Sequence, residues 1–398
     1  MAGRVRNGRR IHDAGAHVKV EFVTNICPHY RVKAFELFAR LHETRFLFFS
    51  EGRSEKYWER SNATTPGNFI GGYLKGIYLP GTGLRFTPSL YTHLLRDDYD
   101  VLVKCINGKI PLLLSFLIAR LRGIPFVLWT GLWHHPDTLM HRISFPLVRA
   151  IYRLSDAIVV YGSHVEQYLV EMGVSREKIF IAWQAVDNAL LSRHVDDTAV
   201  AELRAELGAE EKKVILYVGR LEDQKGVEYL LEAVREIGKK LPVVVVIIGT
   251  GSKAGAFQQV VGPDLTRFRG YVSNETLPIY YKLADVLVLP SITTKDFKEP
   301  WGLVINEAMN QGCPVIATNA VGAAKGGLVQ DGVTGLVVPE RDSAAIARAL
   351  DTILRNDDIR RQMRAKASEE IKLWTYERMV HGFDEAVKYA QSKKGGST

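Results

Sequence analysis

The chain has 398 residues, 46 % of them hydrophobic and 24 % charged, a globular profile that is too long for one ordinary core and predicts two domains. Its three cysteines, Cys27, Cys105 and Cys313, are far apart, which excludes a disulfide framework or a thiolate zinc site and predicts reduced thiols in a cytoplasmic setting. The net charge of +8 lies in the first half, with 24 Lys and Arg against 16 Asp and Glu over residues 1–190 and 28 against 28 thereafter.

The chain opens with a basic stretch, residues 1–17, that lacks the apolar centre of a signal peptide and reads as a disordered tail or an upstream start. From Val18 onward, apolar strands alternate with helical patterns. In the first half, strands are predicted at VKVEFV (from Val18), RFLFF (Arg45), DVLVKC (Asp100), PFVLW (Pro125), AIVVY (Ala157) and IFIAW (Ile179). The run IPLLLSFLIARLRG, from Ile110, is too short to span a bilayer and reads as a buried helix. Ser192 to Lys213 is a polar linker with one short helix. Strands resume at KVILYVG (Lys213), PVVVVIIG (Pro242), RFRGY (Arg267), DVLVLP (Asp285), PVIAT (Pro314) and GLVVP (Gly335). Runs of β-branched residues without alternation suit parallel strands buried on both faces. The expected fold is therefore α/β, with two doubly wound, Rossmann-like parallel sheets over 18–190 and 191–370 that face a cleft. A last helix in residues 371–398 is expected to pack back on the first domain, before a flexible end.

Ligands of such sheets bind at the carboxyl ends of the strands, so the residues there are the candidates. Arg220 and Lys225 follow the Lys213 strand: two cations beside a helix start suit a diphosphate, or are a solvated pair. Gly249, Gly251 and Ala254 match G-x-G-x-x-A, a weak dinucleotide signal; a tight turn that admits a nucleotide base fits better. Glu299 and Glu307 flank a turn and a short helix whose first free amides face the cleft. An acid in so apolar a segment needs polar partners, and sugar hydroxyls would serve.

Together, VGRLEDQKG, IIGTG, YVSNETLPIYYKLADVLVLPS, EPWGLVINEAMNQGCPVIAT and GLVQDGVTGLVVPERD resemble, in order and spacing, the donor domain of GT-B glycosyltransferases of family 4, a retaining family. DAIVVYGSHVEQYLVEMGVSREKIFIAWQAVD is similar to the family's segment before the linker. The resemblance makes Glu299 and Glu307 the E-x7-E pair. It implies that Glu307 binds the ribose, that Glu299 contacts the transferred sugar near the reacting carbon, and that Arg220 and Lys225 clamp the diphosphate. The amides of Trp301, Gly302 and Leu303 would hold sugar and phosphate, and Gly249, Gly251 and Val272 would lie near the base. His134 and His135 follow a first-domain strand, and His135 is the first choice for a contact with the sugar. The first loop lacks the family's Gly-Gly pair and offers Asn25, Pro28, His29, Tyr30 and Arg31 as acceptor-side residues. The loop NAVGAAKGGLVQDG lacks the acid many members carry after its glycines.

The implied function is retaining transfer of a hexose from a nucleotide diphosphate sugar to a glycan, a lipid-linked precursor or a small molecule. A sugar-phosphate synthase or phosphorylase of the same fold, or a non-catalytic carbohydrate-binding relative, are the alternatives. The donor is a substrate; no cofactor or metal is expected. Asp98 and Asp100 have the D-x-D spacing of metal-dependent transferases of another fold, but their place before a strand reads as a solvated strand start. The basic first half predicts peripheral contact with an anionic membrane. No nucleic-acid-binding signature is present.

Overall fold

The computed structural model describes residues 18–50, 69–78 and 85–395. The basic stretch 1–17 and residues 396–398 lie outside the described residues.

Fifteen strands are seen among the described residues. In the first half they are β1 (Lys19–Thr24), β2 (Glu43–Phe48), β3 (Ile70–Tyr73), β4 (Ile77–Tyr78), β5 (Arg85–Phe86), β6 (Val101–Cys105), β7 (Phe126–Thr130), β8 (Ala157–Val160) and β9 (Ile179–Ile181). In the second half they are β10 (Lys213–Val218), β11 (Val243–Ile248), β12 (Thr266–Phe268), β13 (Val286–Leu289), β14 (Val315–Thr318) and β15 (Gly335–Val338). They form a seven-stranded sheet ordered β3-β2-β1-β6-β7-β8-β9 and a six-stranded sheet ordered β12-β11-β10-β13-β14-β15. Every pairing in both is parallel, for example Phe22 beside Phe46 and Val103, and Leu216 beside Val246 and Leu287. β4 and β5 make a small antiparallel hairpin.

The predicted strands are all present. β3 and the hairpin were not predicted. β3 has too little pattern to read, and Gly71 is needed there because a Cβ would lie 2.6 Å from the Phe46 carbonyl oxygen.

Each sheet builds its own core. Val101, Leu102, Val103, Phe126, Val127 and Leu128 fill the centre of the first, and Val243–Ile247 with Val286–Val288 the centre of the second. Such runs bury both faces, as a parallel sheet between two helix layers requires. The polar stretch between the sheets carries the helix Asp197–Glu206, capped by the Asp196 carboxylate on the Thr198 amide. The last helix, Tyr376–Gly395, returns to the first sheet and gives Met379, Val380, Phe383, Ala386 and Val387 to its core. Gly382 permits that return: a Cβ there would sit 2.3 Å from the Ile181 carbonyl oxygen. Among the described residues no helix is long and apolar enough to cross a membrane.

The strand order reverses between β1 and β6 in one sheet and between β10 and β13 in the other. These are the two switch points where a doubly wound sheet opens a crevice.

Candidate functional site

The second switch point gathers the charged residues. Beyond β10, the Tyr217 hydroxyl donates to the Arg220 carbonyl (2.7 Å) and fixes the loop. The Arg220 guanidinium makes no ion pair or side-chain hydrogen bond among the described residues. A 3-10 turn, Asp223–Lys225, then ends at Gly226 with φ +61°, and a Cβ at Gly226 would meet the Pro290 carbonyl oxygen at 2.2 Å. This close approach carries Lys225 to the end of β13. There its ammonium pairs with the Glu299 carboxylate, which also accepts the Ser291 hydroxyl at 3.0 Å. Glu299 is only 7 % exposed. The sequence reading gave Lys225 to the diphosphate and Glu299 to the sugar as separate contacts. The structure joins them as one enclosed ion pair, because their two loops pack over the same strand end.

Glu299 is also fixed through its backbone. It bridges to Val321, and its carbonyl accepts the Gly322 amide (3.1 Å). The helix Leu303–Asn310 follows after Gly302 (φ +95°), and no side chain caps it. Its first amides remain available to a ligand. Trp301 sends its side chain the other way: the indole N–H donates to Asn306 (2.8 Å) inside the core, so only its main chain is at the site. Glu307 accepts the Tyr281 hydroxyl at 2.6 Å. Burial pushes the Glu307 carboxyl above the usual range, and that hydrogen bond draws it partly back.

Gly249 and Gly251 are required by the packing of the chain on itself. A Cβ at Gly249 would lie 1.8 Å from the Gly219 carbonyl oxygen, and one at Gly251 2.2 Å from that of Leu221. The close approach is by the chain's own β10 loop. Val272 is half-buried against the second core.

The first domain meets this site with neutral groups. The Trp133 indole donates to the Glu299 carbonyl (2.9 Å), and His164 Nε2 lies 3.1 Å from the Pro300 carbonyl oxygen. Burial lowers the His164 imidazole to about 4, so it is neutral and donates. The Lys298 ammonium sits 3.9 Å above the Trp133 ring. Sequence reasoning missed Trp133, His164, Tyr281 and Ser291. An indole or imidazole that grips a carbonyl leaves no spacing signal.

Two first-domain expectations need correction. His135 turns into its own domain: its Nε2 lies 3.0 Å from the His141 carbonyl oxygen and its ring 4.2 Å from Phe145. His134 instead faces the donor domain, where it bonds the Thr294 backbone, and burial, then Lys298, lower its pKa. Its Nε2 has no partner among the described residues. Arg31 is not an open acceptor-side group either. It is 4 % exposed, bonds Gln184 and lies over the rings of Tyr30, Trp129 and Tyr161. Of the remaining loop residues, Asn25 is half-buried beside Thr24 (3.2 Å), and the Tyr30 carbonyl accepts the Tyr376 hydroxyl (2.8 Å). His29 is exposed and reaches Asn274 of the second domain at 2.5 Å. Asp98 and Asp100 lie at the opposite, amino-terminal end of the strands, before the central β6, where both bond Lys19.

Two all-parallel doubly wound domains, meeting over a site at the second switch point, are the GT-B architecture. The structure superposes on Anabaena HepE, solved in complex with UDP and glucose, with a TM-score of 0.72 over 94 % of this chain and all of that one, at 16 % identity. Sequence profiles then place the family: residues 200–370 match Glycosyl transferases group 1, and residues 34–190 match Glycosyltransferase Family 4. The chain belongs to the group 1 glycosyltransferases of GT-B fold and is a transferase. It is 28 % identical to an alpha-D-kanosaminyltransferase of Streptomyces kanamyceticus over 64 % of this chain and 67 % of that protein. It is 26 % identical to a GDP-mannose-dependent alpha-(1-6)-phosphatidylinositol monomannoside mannosyltransferase of Mycobacterium tuberculosis, over 76 % of this chain and 79 % of that one.

Proposed function

We propose that the protein moves a hexose, with retention of configuration, from a nucleotide diphosphate sugar to a glycan or lipid-linked acceptor. The observation that carries this reading is the enclosed Lys225–Glu299–Ser291 cluster beside the unpaired Arg220 and an uncapped helix. A diphosphate entering there meets Arg220 directly and competes with Glu299 for Lys225. Once Lys225 turns to the phosphate, Glu299 is free to accept a sugar hydroxyl. Arg220, Lys225 and the amides after Gly302 then oppose the charge that grows on the leaving nucleotide, which is where preorganised donors act most strongly. Glu307, already seated on Tyr281, accepts ribose hydroxyls. His134, with a free Nε2, faces the same cleft from the first domain. Arg220 and Lys225 supply the positive charge that a leaving diphosphate requires, which supports a reaction without a metal. The M. tuberculosis relative, whose acceptor is named as a phosphatidylinositol monomannoside, supports a lipid-linked acceptor, and the basic first half supports work at an anionic membrane.

The test is a panel of nucleotide diphosphate sugars. One member should raise the unfolding temperature, and nucleotide should be released from it with an acceptor present, in EDTA as well as without. The product anomer, read by NMR, should match that of the donor. Protection by none of them, with no nucleotide released, removes the reading; release only with Mg²⁺ or Mn²⁺ removes its metal-free form.

A further inference from the structure

The helix Leu139–Leu154 has three faces. Ile151 and Tyr152 are buried against the first sheet, with Val148 beside them. Leu139, Ile143 and Leu147, four residues apart, form a second face with Met140 and Leu154, and all five are exposed, Leu139 by 76 % and Ile143 by 73 %. Arg142, Arg149 and Arg153 form an adjoining row, also exposed. The helix contains no Asp or Glu. Arg142 pairs with Asp137, but Arg149 and Arg153 meet no carboxylate among the described residues. The preceding helix, Lys109–Leu121, exposes Leu117 and Leu121. Both helices connect strands in the same direction, β6 to β7 and β7 to β8, so right-handed crossovers put them on one side of the sheet. Exposed apolar side chains gathered in one stripe, and not scattered singly, mark an interaction site.

We propose that the Leu139–Leu154 helix lies in the surface of an anionic phospholipid bilayer, with its apolar stripe among the acyl chains and its arginine row on the lipid phosphates. A basic row beside an apolar stripe is the pattern of an interfacial helix. It argues against a second copy of this chain, since a two-fold contact through this face would bring like-charged arginine rows together. The helix starts at the cleft: the Asp137 amide, two residues before it, donates to the Lys295 carbonyl of the donor domain. A bilayer on this face therefore adjoins the acceptor side. That consequence rests on the transferase reading; the membrane contact itself does not.

The experiment is flotation of the full chain with phosphatidylcholine vesicles, with and without phosphatidylglycerol. The protein should float with the anionic vesicles, and salt should weaken binding as the phosphates are screened. Ile143→Glu with Leu147→Glu should lower that binding by about tenfold or more. Arg149→Ala with Arg153→Ala should weaken it and flatten its salt dependence. Both pairs sit on exposed positions away from the site, so circular dichroism should be unchanged. The proposal is overturned if the parent does not float, if both double variants float like the parent, or if removal of residues 1–17 alone abolishes binding. It is also overturned if light scattering shows a dimer that Ile143→Glu with Leu147→Glu converts to a monomer. Flotation is read without turnover, so its failure and that of the transferase reading are separable.

Discussion

The two switch points each hold a lysine, and the two are built in opposite ways. Lys104, on β6 of the first sheet, is fully buried and donates to the carbonyls of Cys105 (2.6 Å) and Asn107 (2.8 Å), with the Phe49 ring 4.6 Å away. Burial lowers its pKa, and among the described residues no carboxylate pairs with it. Lys225, at the end of the second sheet, is paired with the carboxylate of Glu299. Backbone carbonyls cannot leave, so Lys104 is fixed in place. An ammonium held by a loop carboxylate can exchange that partner for a phosphate, which is the role proposed for Lys225. The same contrast runs along the whole cleft. The first domain contributes Trp133, a neutral His164 and His134; the second contributes Arg220, Lys225, Glu299 and Glu307. The first half carries the formal surplus of charge, yet three of its exposed arginines, Arg142, Arg149 and Arg153, lie on the Leu139–Leu154 helix and not at this site.

Breaking the charged side should have the largest effect. Lys225→Met leaves the Glu299 carboxylate enclosed with only Ser291. We expect turnover to fall about 1,000-fold and stability to fall by about 3 kcal/mol, the cost of stranding one member of a buried pair. Adding Glu299→Gln should restore most of the stability and none of the turnover. A double variant as unstable as Lys225→Met would mean that the lysine acts through packing and not through the pair. Lys104→Met should leave the donor KM unchanged.

The neutral side is tested by pH. His164 has its pKa lowered from 6.5 to about 4, so the unfolded chain binds a proton that the folded chain refuses between those values. Its contribution is complete above pH 6.5 and is lost as pH falls toward 4, by roughly 3 kcal/mol. His164→Gln keeps an N–H for the Pro300 carbonyl and cannot charge. Thermal melts from pH 7 to pH 4 should show a flatter acid limb in this variant; an unchanged limb would assign the acid loss to other groups.

Arg220 sharpens the contrast with Lys225. Its guanidinium has no partner among the described residues to strand, so Arg220→Ala should cost turnover about 100-fold while changing stability no more than a surface substitution does, about 0.5 kcal/mol. A large loss of stability would show that Arg220 supports the fold.

Both sheets were legible in the sequence, because buried parallel strands announce themselves as apolar runs such as VVVVII and VLVL. β3 was not, since IGGY has neither alternation nor bulk. Arg220, Lys225, Glu299 and Glu307 were legible as charges at strand ends. Their pairing was not: which carboxylate meets which ammonium depends on how close Gly226 lets two loops come, a backbone distance that spacing does not encode. His135 and Arg31 read as open because polar residues in a loop after a strand usually are. Here His135 turns back to Phe145 and Arg31 under three aromatic rings.

The two glutamates give the finest comparison, because both lie in the second domain, eight residues apart, and have different partners. Glu307 accepts a neutral hydroxyl from Tyr281, and Glu299 accepts a cation. A carboxylate that holds ribose does so equally before and during bond breaking. Glu307→Gln keeps an oxygen for Tyr281 but weakens charge-assisted bonds worth roughly 1.5–3 kcal/mol. The expected result is a donor KM raised by about tenfold or more, with kcat spared. Glu299→Gln acts on a different step. It releases Lys225 and, in the proposed reaction, removes the charge beside the carbon where positive charge develops, so it should lower kcat with a smaller effect on KM. Donor-saturation kinetics on the two single variants, with circular dichroism as the folding control, separates these outcomes. If Glu307→Gln lowers kcat at saturating donor and Glu299→Gln changes only KM, the roles are exchanged. If neither changes either constant, the pair is structural and the site lies elsewhere in the cleft.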